Sequence, residues 1–168
     1  EALATIVAAP DTDVSAEVTA FAERVGHVAT AAGIAGVDPA SPRGEGLIAL
    51  AAFAEPLSCA LHAVERAQIT FEDTVVVAGC GPIGLGMIAG AKAKNAMRVI
   101  ALDLAPEKLK LATKCGADLT IDIAEQDAEK IVKDLTEGYG ADVYLEGTGH
   151  TSAVPQGLNL LRKLGRYV

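Results

Sequence analysis

Three glycines stand at the spacing Gly-x-Gly-x-x-Gly in this sequence, and they are Gly79, Gly81 and Gly84. In such a pattern the first glycine permits a sharp turn after a strand, and the second lets a pyrophosphate touch the backbone. The third lets the following helix pack closely on the sheet. The N-terminus of that helix offers unpaired N–H groups and a partial positive charge to phosphates. The pattern therefore predicts a dinucleotide site that needs no basic side chain.

An aspartate stands where such a site needs an acceptor. Asp103 ends the next predicted strand, about 20 residues past Gly84, where an acidic side chain reaches the hydroxyls of the adenosine ribose. The same carboxylate repels a 2′-phosphate, and no Arg or Ser directly follows it. NAD is therefore favoured over NADP. Lys108 lies one helical turn farther, where it flanks the adenine or ribose or instead pairs with Glu107 in solvent.

These residues have other interpretations. A glycine turn beside an unrelated aspartate is the plainest one, and methyltransferases also place a glycine loop and an acid after successive strands. The third glycine argues against a methyltransferase. In the sequence EGTGH at residues 146–150, Thr148 and Gly149 are candidates for lining the groove, whereas Glu146 suits a loop cap as well as any catalytic role. The three histidines have no metal-ligand spacing, and we expect none of them to be catalytic.

Composition limits the classes of function. The chain has 168 residues, of which 51% are hydrophobic, and a formal net charge of -8. This composition predicts a packed core and argues against nucleic acid as a partner. The three cysteines lie far apart, so they form neither a disulfide framework nor a zinc ribbon, and a reducing cytoplasm fits them best. The chain begins at Glu1 without an initiator methionine, which suggests a fragment or a processed chain.

Residues 74–91 carry no charge and are long enough to suggest a membrane span. Glycines and Pro82 interrupt this run, so a buried strand, a tight turn and a buried helix explain it better. No membrane partner is expected.

Strand and helix patterns alternate from residue 74 onward. Strands are predicted at 74–78, 98–102, 119–123, 142–145 and 166–168, and helices at 83–94, 107–114, 127–135 and 153–163. Repeated units of this kind force parallel pairing with right-handed crossovers. The predicted fold class is α/β, with a doubly wound parallel sheet of the Rossmann type whose last strand is cut short by the chain end. That cut would leave an unpaired sheet edge, which invites self-association.

The first 45 residues follow another pattern. A strand over 2–8 and an amphipathic helix between Asp13 and Gly33 are predicted, followed by a loop over 36–46. Residues 47–67 then look helical, with a break at Pro56. We therefore divide the chain into an N-terminal strand and helix extension of unknown role, residues 1–45, and a nucleotide-binding domain, residues 46–168.

Several ordered motifs resemble those of the medium-chain dehydrogenase/reductase superfamily. They are AEPLSCALHAVERA, TVVVAGCGPIGLG, VIALDL, KCGAD, DVYLEGTG and LRKLGRYV. The likeness covers residues 54–168 and is strongest to the zinc-type polyol and alcohol dehydrogenases, of the sorbitol or erythritol dehydrogenase kind.

The resemblance implies an NAD-binding domain that works beside a separate catalytic domain. Ser58 would approach the nicotinamide, and Glu55 would lie close to the catalytic zinc. The resemblance also implies which residues bind NAD. Asp103 would bind the ribose, Lys108 would lie by the adenosine end and Thr148 would line the groove. The pyrophosphate would be cradled by Gly79, Gly81, Pro82, Ile83 and Gly84.

The chain departs from this family before residue 54. Residues 1–53 contain no cysteine and no His-Glu pair, which such enzymes use as zinc ligands. Zinc is thus expected in the intact family enzyme but is not supported by this chain, and we assign it no metal ligand and no catalytic residue. We expect the coenzyme-binding domain of an NAD-dependent polyol or alcohol dehydrogenase, inactive alone and homo-oligomeric. The alternative is a non-enzymatic NAD-binding or interaction module.

Overall fold

The computed structural model describes residues 42–168, with side chains from residue 52 onward. The strand predicted over 2–8, the helix predicted between Asp13 and Gly33 and the first part of the predicted loop lie outside the described residues. The chain divides into two compact units, Glu1–Glu55 and Pro56–Val168. The division at residue 45 stays a prediction.

Strands and helices alternate along the second unit, as the sequence patterns predict. After helix α1 (Pro42–Arg66), the order is β1 (Thr74–Ala78), α2 (Pro82–Ala93), β2 (Arg98–Asp103), α3 (Pro106–Lys114), β3 (Leu119–Asp122), α4 (Ala128–Leu135), β4 (Ala141–Glu146), α5 (Ala153–Leu160) and β5 (Leu161–Tyr167). The strands form one sheet in the order β3-β2-β1-β4-β5, and every neighbouring pair is parallel. The predicted doubly wound Rossmann-type sheet is confirmed.

Helix α1 differs from its prediction in two ways. It begins at Pro42 rather than at residue 47, since a proline is well tolerated in the first turn of a helix. It also continues through Pro56, where a break was predicted. Its later turns pack tightly on α2, because a Cβ added to Gly86 would lie 2.8 Å from the Cβ of Ala60. Pro56 itself has no N–H to donate to the preceding turn, so α1 lacks one internal hydrogen bond there.

The end of the second unit also differs from its prediction. Helix α5 stops at Leu160 rather than at residue 163, and β5 begins directly at Leu161, whose backbone is extended. Leu161 pairs with Ala141, and Arg166 then pairs with Val143 after a bulge. The predicted fifth strand is confirmed, but its predicted start at residue 166 was wrong, because the strand begins at Leu161 and has seven residues. Pairing with β4 overrides the helical pattern here.

The sheet is buried on both faces at its centre. All residues of β1 are buried, as its uninterrupted apolar run predicts for a central parallel strand. One face packs on α4 and α5 through residues that include Val76, Ile100, Val132 and Leu160. Two rings, those of Tyr144 and Tyr167, lie 5.1 Å apart between their centroids. Small residues and aliphatic side chains thus build a core with few aromatic rings.

Two aspartates accept backbone N–H groups at the amino-terminal ends of the strands. Asp118 accepts the N–H of Val99 at 2.7 Å, and Asp142 accepts the N–H of Thr74 at 2.8 Å. Each aspartate therefore satisfies an N–H at the start of the neighbouring strand. Burial opposes ionisation of Asp118, but the Val99 N–H and the ammonium of Lys92 hold the pKa of its carboxyl below its ordinary value.

Within the described residues, no helix is long and apolar enough to cross a membrane. The uncharged run at residues 74–91 forms β1, a turn and most of α2, as predicted.

Leu164 occupies a strained position in the β5 bulge. Its φ is +64° and its side chain is 95% exposed, so no packing offsets the left-handed backbone. We predict that Leu164→Gly raises the free energy of unfolding by about 0.5–1 kcal/mol in urea denaturation. Leu164→Ala is the control, because it removes the exposed side chain and keeps the strain. Equal stability of the parent and the glycine variant would contradict this account.

Candidate functional site

The carboxyl edge of the sheet brings three segments together. The chain runs outward from β1 to β3 and then returns to β4 on the other side of β1, so the strand order reverses between β1 and β4. Ala78 lies in register with Leu102 and with Glu146. The glycine turn after β1, Asp103 at the end of β2 and the loop after β4 therefore meet at the switch point, where ligands bind in such sheets.

Two of the three glycines are required by the protein itself. Gly79 has a φ of +86°, and its N–H donates to the carbonyl of Leu102 at 2.8 Å. A Cβ added to Gly84 would lie only 1.8 Å from the carbonyl oxygen of Gly79. Only glycine at residue 84 lets α2 start this close to the turn.

Gly81 is different, because nothing in the described part of the chain requires a glycine there. Its backbone is extended, with a φ of -74° and a ψ of -177°, and a Cβ added to it would meet no atom within 4 Å. The missing side chain leaves open space directly in front of α2. The first turn of α2 has no side-chain cap and no acidic residue, so its free N–H groups favour an anion in that space. These features fit a pyrophosphate.

Asp103 has a second role that the sequence did not reveal. One carboxylate oxygen, Oδ2, accepts the N–H of Cys80 at 2.7 Å. The other, Oδ1, accepts the N–H groups of Leu104 at 2.8 Å and Ala105 at 2.9 Å. Asp103 therefore ties the glycine turn to the end of β2. A carboxylate has about four acceptor positions, so the free position on Oδ2 suits one ribose hydroxyl.

The turn also encloses a buried thiol. Burial first and the carboxylate of Asp103 second raise the pKa of Cys80 to about 12, against the opposing effect of the Lys108 ammonium. Cys80 is thus a neutral, unreactive thiol in the ordinary pH range. Lys108 lies close enough for its charge to act on the turn, and within the described part of the chain it forms no ion pair with Glu107.

The loop after β4 forms the other side of the site. Gly147 donates its N–H to the carbonyl of Ala78 at 2.8 Å, which joins the loop to β1. A Cβ added to Gly79 would lie 2.9 Å from Cγ2 of Thr148. Glu146 accepts the N–H groups of Thr148 and Gly149, so its interpretation as a loop cap is confirmed.

Most of the residues predicted to form the site are thus neighbours. The exposed side chains of Pro82 and Ile83 begin α2 beside the glycines. Glu55 and Ser58 are exposed on α1, and Glu55 belongs to the first compact unit. Across residues 42–168, no group of three or more His, Cys, Asp or Glu side chains could hold a metal ion.

Two recesses of the surface lie away from this edge. One, of about 320 Å³, is lined by residues that include Gln126, Gln156 and Asn159. The other, of about 330 Å³, includes Met97 and Tyr139 and lies near the starts of β1, β2 and β4. Neither contains a residue of the glycine turn, so backbone geometry rather than cavity size identifies the site.

Known proteins share both the sequence and the fold of this region. Residues 82–168 match the family described as zinc-binding dehydrogenase. Over 118 residues, 70% of this chain, the sequence is 92% identical to an erythritol/L-threitol dehydrogenase of Mycolicibacterium smegmatis, of which it covers 33%. It is 45% identical over 118 residues to a sorbitol dehydrogenase of Halalkalibacterium halodurans, again 70% of this chain and 34% of that protein.

A solved alcohol dehydrogenase from Thermotoga maritima is similar in structure, with a TM-score of 0.65 and 36% identity over 78% of this chain and 36% of that one. The chain spans about a third of the length of the curated relatives it matches. The glycine turn, the strand order and these matches agree, and the chain belongs to the zinc-binding dehydrogenase family.

Proposed function

We propose that this chain is the NAD-binding part of a dehydrogenase that oxidises a polyol or another alcohol. The observation that carries the proposal is the open space at Gly81, in front of the uncapped start of α2. The names of the relatives support the substrate class. Because the chain spans about a third of those relatives, the activity is proposed for the whole protein.

Backbone groups rather than cationic side chains hold the pyrophosphate. The N–H groups of Ile83 and Gly84 lie in the first turn of α2, and Pro82 has no N–H to leave unpaired. This arrangement explains how a chain with a net charge of -8 can bind a dianionic pyrophosphate group. The exposed side chains of Ile83 and Thr148 line the groove on its two sides.

The adenosine end of NAD lies toward β2. Asp103 offers one acceptor position to a ribose hydroxyl, since backbone N–H groups occupy the rest of its carboxylate. A 2′-phosphate would bring negative charge against this carboxylate, so NAD is preferred to NADP. Lys108 adds a positive charge on the same side.

When bound, NAD supplies the acceptor for a hydride from the carbinol carbon of the substrate. The residues of this chain bind and orient the cofactor, and we assign them no zinc ligand and no proton transfer. The chain is proposed to work beside a zinc-binding catalytic domain in a cytoplasmic homo-oligomer, with its nucleotide-binding domain over residues 46–168. The wide spacing of Cys59, Cys80 and Cys115 along the sequence fits a reducing compartment.

Calorimetry of NAD and NADP with the chain and with Asp103→Ala tests the cofactor. We expect the parent to bind NAD with a roughly micromolar dissociation constant. In the variant, the affinity for NAD should fall about tenfold, and the preference for NAD over NADP should disappear. The ratio of the two affinities is the internal control. If the variant only deforms the turn, both affinities fall equally and the ratio persists. A parent chain that binds neither cofactor refutes the proposal.

Two glycine variants separate ligand space from protein packing. Gly81→Ala adds a methyl group that meets no protein atom, so we expect a free energy of unfolding within about 1 kcal/mol of the parent. NAD binding should weaken at least about tenfold, because the methyl group fills the pyrophosphate space.

Gly84→Ala is the matched comparison, since its methyl group would collide with the carbonyl of Gly79. We expect it to lower the free energy of unfolding by about 3 kcal/mol. Thermal denaturation and calorimetry on both variants give the comparison. Undiminished NAD binding by a stable Gly81→Ala variant would place the pyrophosphate elsewhere.

A further inference from the structure

Glu146 organises the loop after β4 through one oxygen. Oε1 accepts the N–H of Thr148 at 2.6 Å, the hydroxyl of Thr148 at 2.5 Å and the N–H of Gly149 at 3.1 Å. The second oxygen, Oε2, lies 3.3 Å from the N–H of Gly149. Donors from two successive residues therefore converge on a single side chain at the edge of the site.

These contacts fix the direction of the Thr148 hydroxyl. A hydroxyl has one hydrogen and two acceptor positions, and a carboxylate can only accept. The hydrogen of Thr148 therefore points to Glu146. One acceptor position of Oγ1 takes the N–H of His150 at 2.9 Å. What remains for a ligand is a single acceptor position.

Thr148 stands beside the glycine turn. Thr148 is exposed, and its methyl carbon lies next to Gly79, where a Cβ would approach within 2.9 Å. The N–H of Gly147 also binds the carbonyl of Ala78. The loop is thus held to β1 on one side and to Glu146 on the other.

We propose that Glu146 is a positioning residue for the dinucleotide, an inference that rests on the proposed function. It holds the Thr148 hydroxyl as an acceptor, so Thr148 binds a donor group of the ligand. The ribose hydroxyls and the carboxamide N–H of NAD are such donors. The pyrophosphate oxygens only accept hydrogen bonds, so the N–H groups at the start of α2 bind them instead of Thr148. Thr148 therefore accepts a hydrogen bond from a ribose hydroxyl or from the carboxamide of the cofactor, and it does not bind the phosphates.

Hydrogen exchange tests the positioning role without any ligand. In the parent chain the amide protons of Thr148 and Gly149 should exchange slowly. Glu146→Ala should expose both, whereas Glu146→Gln should keep them protected, because the three donors need only one acceptor oxygen. Glu72→Ala removes an equal charge from an exposed residue before β1, and it should leave both amides protected. Unchanged protection in Glu146→Ala overturns the role.

Calorimetry with NAD tests the effect on the site. We expect Glu146→Ala to weaken NAD binding about tenfold, Glu146→Gln by less than about threefold and Thr148→Val about fivefold. The double variant Glu146→Ala/Thr148→Val should bind about as weakly as Glu146→Ala alone, because both changes remove one interaction. A purely structural loop cap predicts that the two losses multiply, and that result overturns the proposal.

Adenosine diphosphate ribose, which lacks the nicotinamide, identifies the donor. A fivefold loss in Thr148→Val that persists with this ligand assigns the contact to a ribose hydroxyl, and a loss that disappears assigns it to the carboxamide. If Thr148→Val binds NAD as the parent does, the acceptor role is wrong. If the parent binds no dinucleotide, the proposed function fails. Hydrogen exchange at Thr148 and Gly149, which needs no ligand, then still shows whether Glu146 positions the loop.

Discussion

The close approach of α2 to the turn after β1 is the constraint on which the site depends. The carbonyl oxygen of Gly79 occupies the space where any side chain at residue 84 would begin. This contact sets where α2 starts and therefore where its free N–H groups point. The bond from Cys80 N–H to Asp103 then fixes the same turn to β2. These two contacts hold the turn in one conformation, and the turn thereby fixes the direction of the backbone N–H groups at the candidate site.

Backbone N–H groups are paired differently at the amino-terminal and carboxyl ends of the strands. At the amino-terminal edge, Asp73, Asp118 and Asp142 accept backbone N–H groups, and Asp73 and Asp142 also pair with Arg166 and Arg162. At the carboxyl edge, Asp103 and Glu146 hold the turns in place, whereas the first turn of α2 remains uncapped. Donors are thus satisfied where the fold must be closed and left open where a ligand is needed.

Much of this arrangement could be predicted from the sequence, because it follows from local rules. The spacing of Gly79, Gly81 and Gly84 indicates the turn after β1, and alternating apolar segments indicate the parallel sheet. The hydrogen bond from the Cys80 N–H to Asp103 could not be predicted, since it depends on the register between β1 and β2. The early start of β5 at Leu161 was missed for the same reason, because pairing with β4 outweighs a local helical pattern. The continuity of α1 through Pro56 was also missed, because proline is a local signal for a helix break.

The measurement that tests the central claim most directly is a nuclear magnetic resonance titration of the isotope-labelled chain with NAD. The account predicts that the amide resonances of Gly81, Ile83 and Gly84 shift most, followed by those of Cys80 and Thr148. The resonances of Gln126 and Gln156, in a recess away from the site, should not move. Shifts concentrated in that recess, or none at saturating NAD, would contradict a dinucleotide site at the glycine turn.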